Sequence, residues 1–254
     1  MCPVSGSELL LLLLAGLVAG LAGSIAGLAS LISYPALLAV GLAPVAANVT
    51  NTVALVFSGV GSVLGSRPEL RSEGHRLRRL APAAVSGGIV GGVLLLSTPP
   101  GAFELIVPWL IGLASLAILL VPPPAELRGT LHRTVDSGQV ITGVFLVGIY
   151  GGYFGAAAGV ILLALLLASS GETLARSNAL KNAILGLANG VAALGFAIFG
   201  PVQWLAVVPL SLGFLAGGRL GPAVVRRSPA KLLRAVVAVA GVAVAIRLGL
   251  DAYG

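Results

Sequence analysis

Two stretches of this chain carry most of the polar chemistry found inside its apolar regions. Arg176 to Gly190 (RSNALKNAILGLANG) sets Asn178, Asn182, Gly186 and Asn189 three, four or seven residues apart, a spacing that gathers them on one face of a helix. Lys181 stands beside that stripe. Ala47 to Gly61 (ANVTNTVALVFSGVG) repeats the plan with Asn48, Thr52 and Gly59, and Asn51 beside them. Amides and an ammonium are costly in hydrocarbon, so both stripes are expected to face protein or a water-filled cavity. Helix N-termini present unpaired N–H groups and partial positive charge, and asparagine or threonine adds side-chain donors. That inventory suits a small anion. The candidate substrate-binding residues are therefore Asn48, Asn51, Thr52, Asn178, Lys181 and Asn182. Taken singly, each also fits helix capping or helix–helix bonding, and Lys181 fits a snorkel to the cytoplasmic surface equally well.

Other chemistries lack their residues. His75 and His132 are the only histidines, and both are placed in loops, which argues against a Ser-His hydrolase, a haem site or a histidine metal site. Cys2 is the only cysteine, so an internal disulfide and a cysteine metal cluster are excluded. No Asp or Glu falls deep in an apolar run. Glu104 sits near a helix start and reads as interfacial, so a carrier driven by a buried carboxylate has little support. Tyr34, Tyr150 and Tyr153 lie beside the glycine breaks, where they could bound a pocket, though aromatic packing is the default reading. No catalytic residue, metal or cofactor is expected, and the protein is not expected to be an enzyme.

The polar stripes need elements to carry them. Of 254 residues, 57% are hydrophobic and only 9% charged, with mean hydropathy +1.07, whereas a soluble protein carries roughly a quarter charged residues. No charge falls between Glu8 and Arg67, between Asp136 and Glu172, or between Lys181 and Arg219, and each gap exceeds the ~20 residues of one membrane helix. The chain is a polytopic membrane protein. Its net charge is +7, but the basic residues sit in short loops between apolar runs, a positive-inside pattern rather than a nucleic-acid surface. The opening MCPVSGSELLLLLLAGLVAG resembles a signal-peptide core, lacks a basic leader and reads as part of the fold.

In chain order, Glu8 to Leu42 predicts two short helices or a re-entrant hairpin around Gly16, Gly20, Gly23 and Gly27, with Pro35 in the second arm. The Asn48 helix runs from Pro44 to about Gly65, and a basic loop follows with five arginines between Arg67 and Arg79. Spans at 80–96 and 103–121 complete residues 1–124 as a first membrane repeat, and 125–138 forms a cytoplasmic connector. Residues 139–254 form a second repeat: glycines at 143–159, the Asn178 helix from Ser177 to about Gly200, a span at 202–217, a basic connector at 219–234 and a span at 232–250. Aligning Asn48 with Asn178 gives an offset of 130 residues, a frequent plan in transporters. The basic loop follows the Asn48 helix in one half but comes one span later in the other. Basic loops face the cytoplasm, so the halves are expected to be inverted. The predicted fold is all-α, with eight to ten membrane segments in two inverted-topology repeats.

At these residues the chain resembles the sulfite exporter TauE/SafE family of membrane permeases. The resemblance rests on the glycine-rich opening followed by Pro35, ANVTNTVAL at 47–55, GVFLVGIYGGYFGAAAG at 143–159 and NALKN at 178–182. It covers nearly the whole chain, though the second repeat has no proline matching Pro35. It implies export or exchange of small sulfur-containing or organic anions, such as sulfite or an organosulfonate, across the inner (plasma) membrane. The implied partners are a small anionic substrate and the lipid bilayer, with a homo-oligomer also compatible and no nucleic acid. The alternatives are a passive anion channel and a non-transporting membrane scaffold or enzyme.

Overall fold

The computed structural model describes residues 5–120, 137–169 and 172–227, together with Ile246 and Leu250. Cys2, His132, most of the expected connector and all but two residues of the expected last span lie outside the described residues. Among those described there are only helices and their connections. They are α1 (Gly6–Ala26), α2 (Ser30–Ala39), α3 (Pro44–Gly65), α4 (Arg67–Leu70), α5 (Gly74–Ser97), α6 (Pro100–Leu120), α7 (Ser137–Tyr153), α8 (Ala158–Ser169), α9 (Leu174–Phe199) and α10 (Trp204–Arg227).

Local chemistry explains the ends. Ser5 and Glu8 form a reciprocal capping box at the start of α1: Ser5 Oγ accepts from the Glu8 N–H, and Glu8 Oε2 accepts from the Ser5 N–H at 2.7 Å, satisfying two orphan donors. Pro44 opens α3, where its missing N–H is not needed. Thr173 caps α9 through its hydroxyl, 3.3 Å from the Arg176 N–H.

Three boundaries depart from the expectation. Helix α5 begins at Gly74 rather than Leu80, so His75 sits in a first helical turn and not in a loop. Buried Glu73 pairs with Arg76 one turn on, at 3.2 Å, and arginine is a strong helix former, so the basic run winds up. Helix α10 continues to Arg227 instead of stopping near Gly217. Helix α9 starts at Leu174, three residues early, once Thr173 supplies the cap.

Among the described residues, five helices are long and apolar enough to cross a bilayer: α1, α3, α5, α9 and α10. Their outward faces are apolar, with Leu194, Ile198, Phe199, Trp204 and Leu212 exposed, as lipid contact requires. This is a multi-pass membrane protein. Both glycine-rich stretches form a longer helix, a break and a shorter helix. Helices α2 (10 residues) and α8 (12 residues) reach only about 15 and 18 Å, too short to span a ~30 Å core.

The packing comes in matched pairs. Helix α1 lies along α10 as α7 lies along α5, α3 packs on α10 as α9 packs on α5, and α3 and α9 meet each other at the centre. Glycine permits these approaches. Gly16 and Gly20 of α1 press on the backbone of α10 around Leu210 and Phe214, and Gly87 and Gly91 of α5 press on α7 around Phe145 and Ile149. A side chain at any of the four would hold the helices apart.

Candidate functional site

The site is built where the two broken helices meet. Gly27 ends α1 with φ +76, and the α7–α8 link contains Gly155 at φ +76 and Ala157 at φ +59. The breaks touch: a Cβ at Gly27 would run into the backbone of Gly159, and a Cβ at Gly159 into that of Gly27. Tyr150 pins the second break by donating its hydroxyl across it to the Ala156 carbonyl at 2.6 Å. Each break exposes two kinds of backbone group, the last carbonyls of one helix and the first N–H groups of the next.

Side chains of the two central helices satisfy the carbonyl ends. On α3, Asn48 donates from Nδ2 to the Tyr153 carbonyl at the end of α7, at 2.8 Å. On α9, Asn178 and Asn182 donate to the Ser24 carbonyl near the end of α1, at 2.9 and 3.1 Å. Lys181, with no exposed surface, places Nζ 3.1 Å from the Gly23 carbonyl and 3.4 Å from that of Ser24. The two asparagine bonds mirror each other, and both asparagines leave a buried Oδ1 without a partner among the described residues.

The starts of the two short helices border a cavity of about 50 Å³. Its walls are the ends of α1 and α7 (Gly23, Gly27, Gly151, Gly155), the starts of α2 and α8 (Ala29, Ser30, Ala158, Gly159), and one stripe from each central helix. The α3 stripe is Leu55, Ser58, Gly59 and Ser62, and the α9 stripe is Leu185, Gly186, Asn182 and Asn189. Both follow the i, i+3, i+4, i+7 spacing of a single helix face. Asn51 sets Ser30: its Nδ2 donates to Ser30 Oγ at 3.1 Å, while its Oδ1 accepts from Ser33 Oγ at 2.6 Å. Ser30 is thus an acceptor toward Asn51 and keeps its own proton to donate. Among the described residues, no acidic side chain lines the cavity. The donors around it are neutral hydroxyls, amides and helix N-termini, a set able to hold a small anion.

Of the six residues named from the sequence, only Asn182 lines this cavity. Asn48, Asn178 and Lys181 hold the carbonyl ends, Asn51 orients Ser30, and Thr52 returns its hydroxyl to the Asn48 carbonyl at 3.0 Å. Sequence reasoning placed Asn189, Gly59 and Gly186 on the polar stripes but left Ser30, Ser58 and Ser62 unremarked. The signal for the last two was available, since 58 and 62 continue the face of 55 and 59. Tyr34, fully buried, packs edge-on to Phe154 at 5.3 Å, and none of the three tyrosines lines the cavity.

Comparison with known proteins agrees with this architecture. The family profile described as "Sulfite exporter TauE/SafE" matches residues 12–248. The chain is 28% identical over 245 residues to "Probable membrane transporter protein ORF9" of Sinorhizobium sp, covering 94% of this chain and 92% of that protein. It is 27% identical over 244 residues to "Probable membrane transporter protein YfcA" of Escherichia coli strain K12, covering 96% and 90%. No solved structure gives a significant match. A profile spanning almost the whole chain, with relatives aligned end to end, places this protein in the sulfite exporter TauE/SafE family of membrane transporters.

Proposed function

We propose that the protein is an inner-membrane carrier of small oxyanions, foremost sulfur-containing ones such as sulfite or an organosulfonate, and that the substrate sits in the cavity between the two breaks. One observation carries this reading. The first residues of both short helices, α2 and α8, line the same cavity beside Ser58, Ser62, Asn182 and Asn189, with no carboxylate among the described residues on its walls. A space of about 50 Å³ holds only a few water-sized groups, which suits a compact ion. In this reading Asn182 contacts the anion, while Asn48, Asn51, Thr52, Asn178 and Lys181 frame the breaks that supply the backbone donors.

An inverted pair of repeats working by alternating access fits the same features. The helix pairs exchange between halves, and the Asn48–Tyr153 and Asn178–Ser24 bonds are counterparts. In such carriers the substrate lies between the repeats, at discontinuous helices. The test is uptake of radiolabelled sulfite by proteoliposomes. Flux is expected in the wild type and should fall sharply in Asn182→Ala and Asn189→Ala. It should also fall in Asn48→Ala and Asn178→Ala, through displaced breaks. Full flux in both Asn182→Ala and Asn189→Ala would remove the assignment of the cavity.

A further inference from the structure

The two breaks are not treated alike. At the end of α7 the Tyr153 carbonyl receives an uncharged amide, from Asn48. At the end of α1 the Gly23 and Ser24 carbonyls receive Lys181 Nζ as well as two amides. The position that aligns with Lys181 in the first half is Asn51, and it turns away to Ser30 and Ser33. Lys181 has no carboxylate partner among the described residues: the ion pairs there join Arg76 to Glu73 and Arg176 to Glu172. What faces it is acceptor-rich. Besides the two carbonyls, Asn178, three positions earlier on α9, carries a buried Oδ1 without a partner among the described residues.

A helix C-terminus carries roughly half a negative charge. In carriers with discontinuous helices, such ends and their unwound carbonyls coordinate a free coupling cation. Here the chain's own side chain occupies that place. We propose that Lys181 is a tethered cation seated on the C-terminal end of α1, standing where a free monovalent cation would bind, so that anion movement through this protein needs no sodium. The inference rests on the carrier reading for its second half only, since occupancy of the α1 end is measurable without transport. Gly23, whose carbonyl Lys181 holds, also lines the cavity. The ammonium therefore lends positive potential to a bound anion without touching it.

The experiment uses the full chain, in detergent for thermal melting and in proteoliposomes for sulfite uptake, with sodium, methylammonium or choline chloride at matched ionic strength. Wild type should give the same melting midpoint and the same uptake in sodium and in choline. Lys181→Ala should melt lower, and methylammonium should raise its midpoint above the value in choline, because a free ammonium refills the vacated end. Lys181→Met keeps the length and apolar stem without the charge; it should fold, lose most of its uptake and respond to neither cation. Wild-type uptake that stops without sodium would overturn the proposal. So would full uptake by Lys181→Met, or a Lys181→Ala midpoint that methylammonium leaves where choline does. If Lys181→Ala yields no folded protein, the Lys181→Met uptake decides. A wild type that takes up no sulfite in any salt defeats the carrier reading instead, and the melting series still reads the cation seat.

Discussion

Ala157 holds φ +59 within the α7–α8 break and is almost fully buried. An L-residue enters that conformation at a penalty of about 1–2 kcal/mol, and strain of this kind collects where the surrounding structure dictates the backbone. Ala157→Gly should release it, less the greater freedom glycine gains when unfolded, and raise stability by about 0.5–1 kcal/mol. Thermal melting in detergent reads the shift; an unchanged or lower midpoint would show that the break is not strained. The polar residues of this site were visible in the sequence because an amide in an apolar run is conspicuous. Their partners were not. Backbone carbonyls of Gly23, Ser24 and Tyr153 carry no letter of their own, so the sequence did not say which groups the asparagines bond. Serine is quieter still, since in a helix it can satisfy itself on a preceding carbonyl, and Ser58 and Ser62 drew no notice.

The elements follow the same logic of close approach. Gly27→Ala and Gly159→Ala would each drive a methyl into the opposing backbone, and at Gly27 the φ of +76 adds conformational strain. Both should abolish a monodisperse, folded protein by size-exclusion chromatography. Gly190→Ala, in the body of α9 with open space around it, should be tolerated and should stabilise the helix by about 1 kcal/mol. If all three behaved alike, the contact between the breaks would not hold the fold together. Helix positions were readable from hydropathy and glycine clustering, and the breaks fell where the glycines predicted. Boundaries rich in arginine were misplaced because charge was taken as the mark of a loop. At α5 the arginines instead lie within the helix, ahead of the apolar run.

Across the whole molecule the halves are interleaved. Helix α1 from the first half rests on α10 of the second, and α7 from the second rests on α5 of the first, so neither half buries its own long helices. Residues 1–124 and 125–254 expressed as separate chains should each be degraded in the membrane, yet accumulate and co-purify when produced together. A stable, monodisperse half alone would contradict this. The multi-pass architecture was plain from charge-free runs. The exchange of partners between halves was not, because packing small residue on small residue specifies closeness without saying whose backbone is close. The crossing of Gly27 over Gly159 has an evolutionary corollary. Those positions leave no volume for a side chain, so that wall of the cavity is closed to drift. Leu55, Ser58, Ser62, Leu185 and Asn189 stand on intact helices, where a change of side chain leaves the crossing undisturbed. If the cavity holds the cargo as proposed, a change of cargo would retune the α3 and α9 walls and leave the junction unaltered.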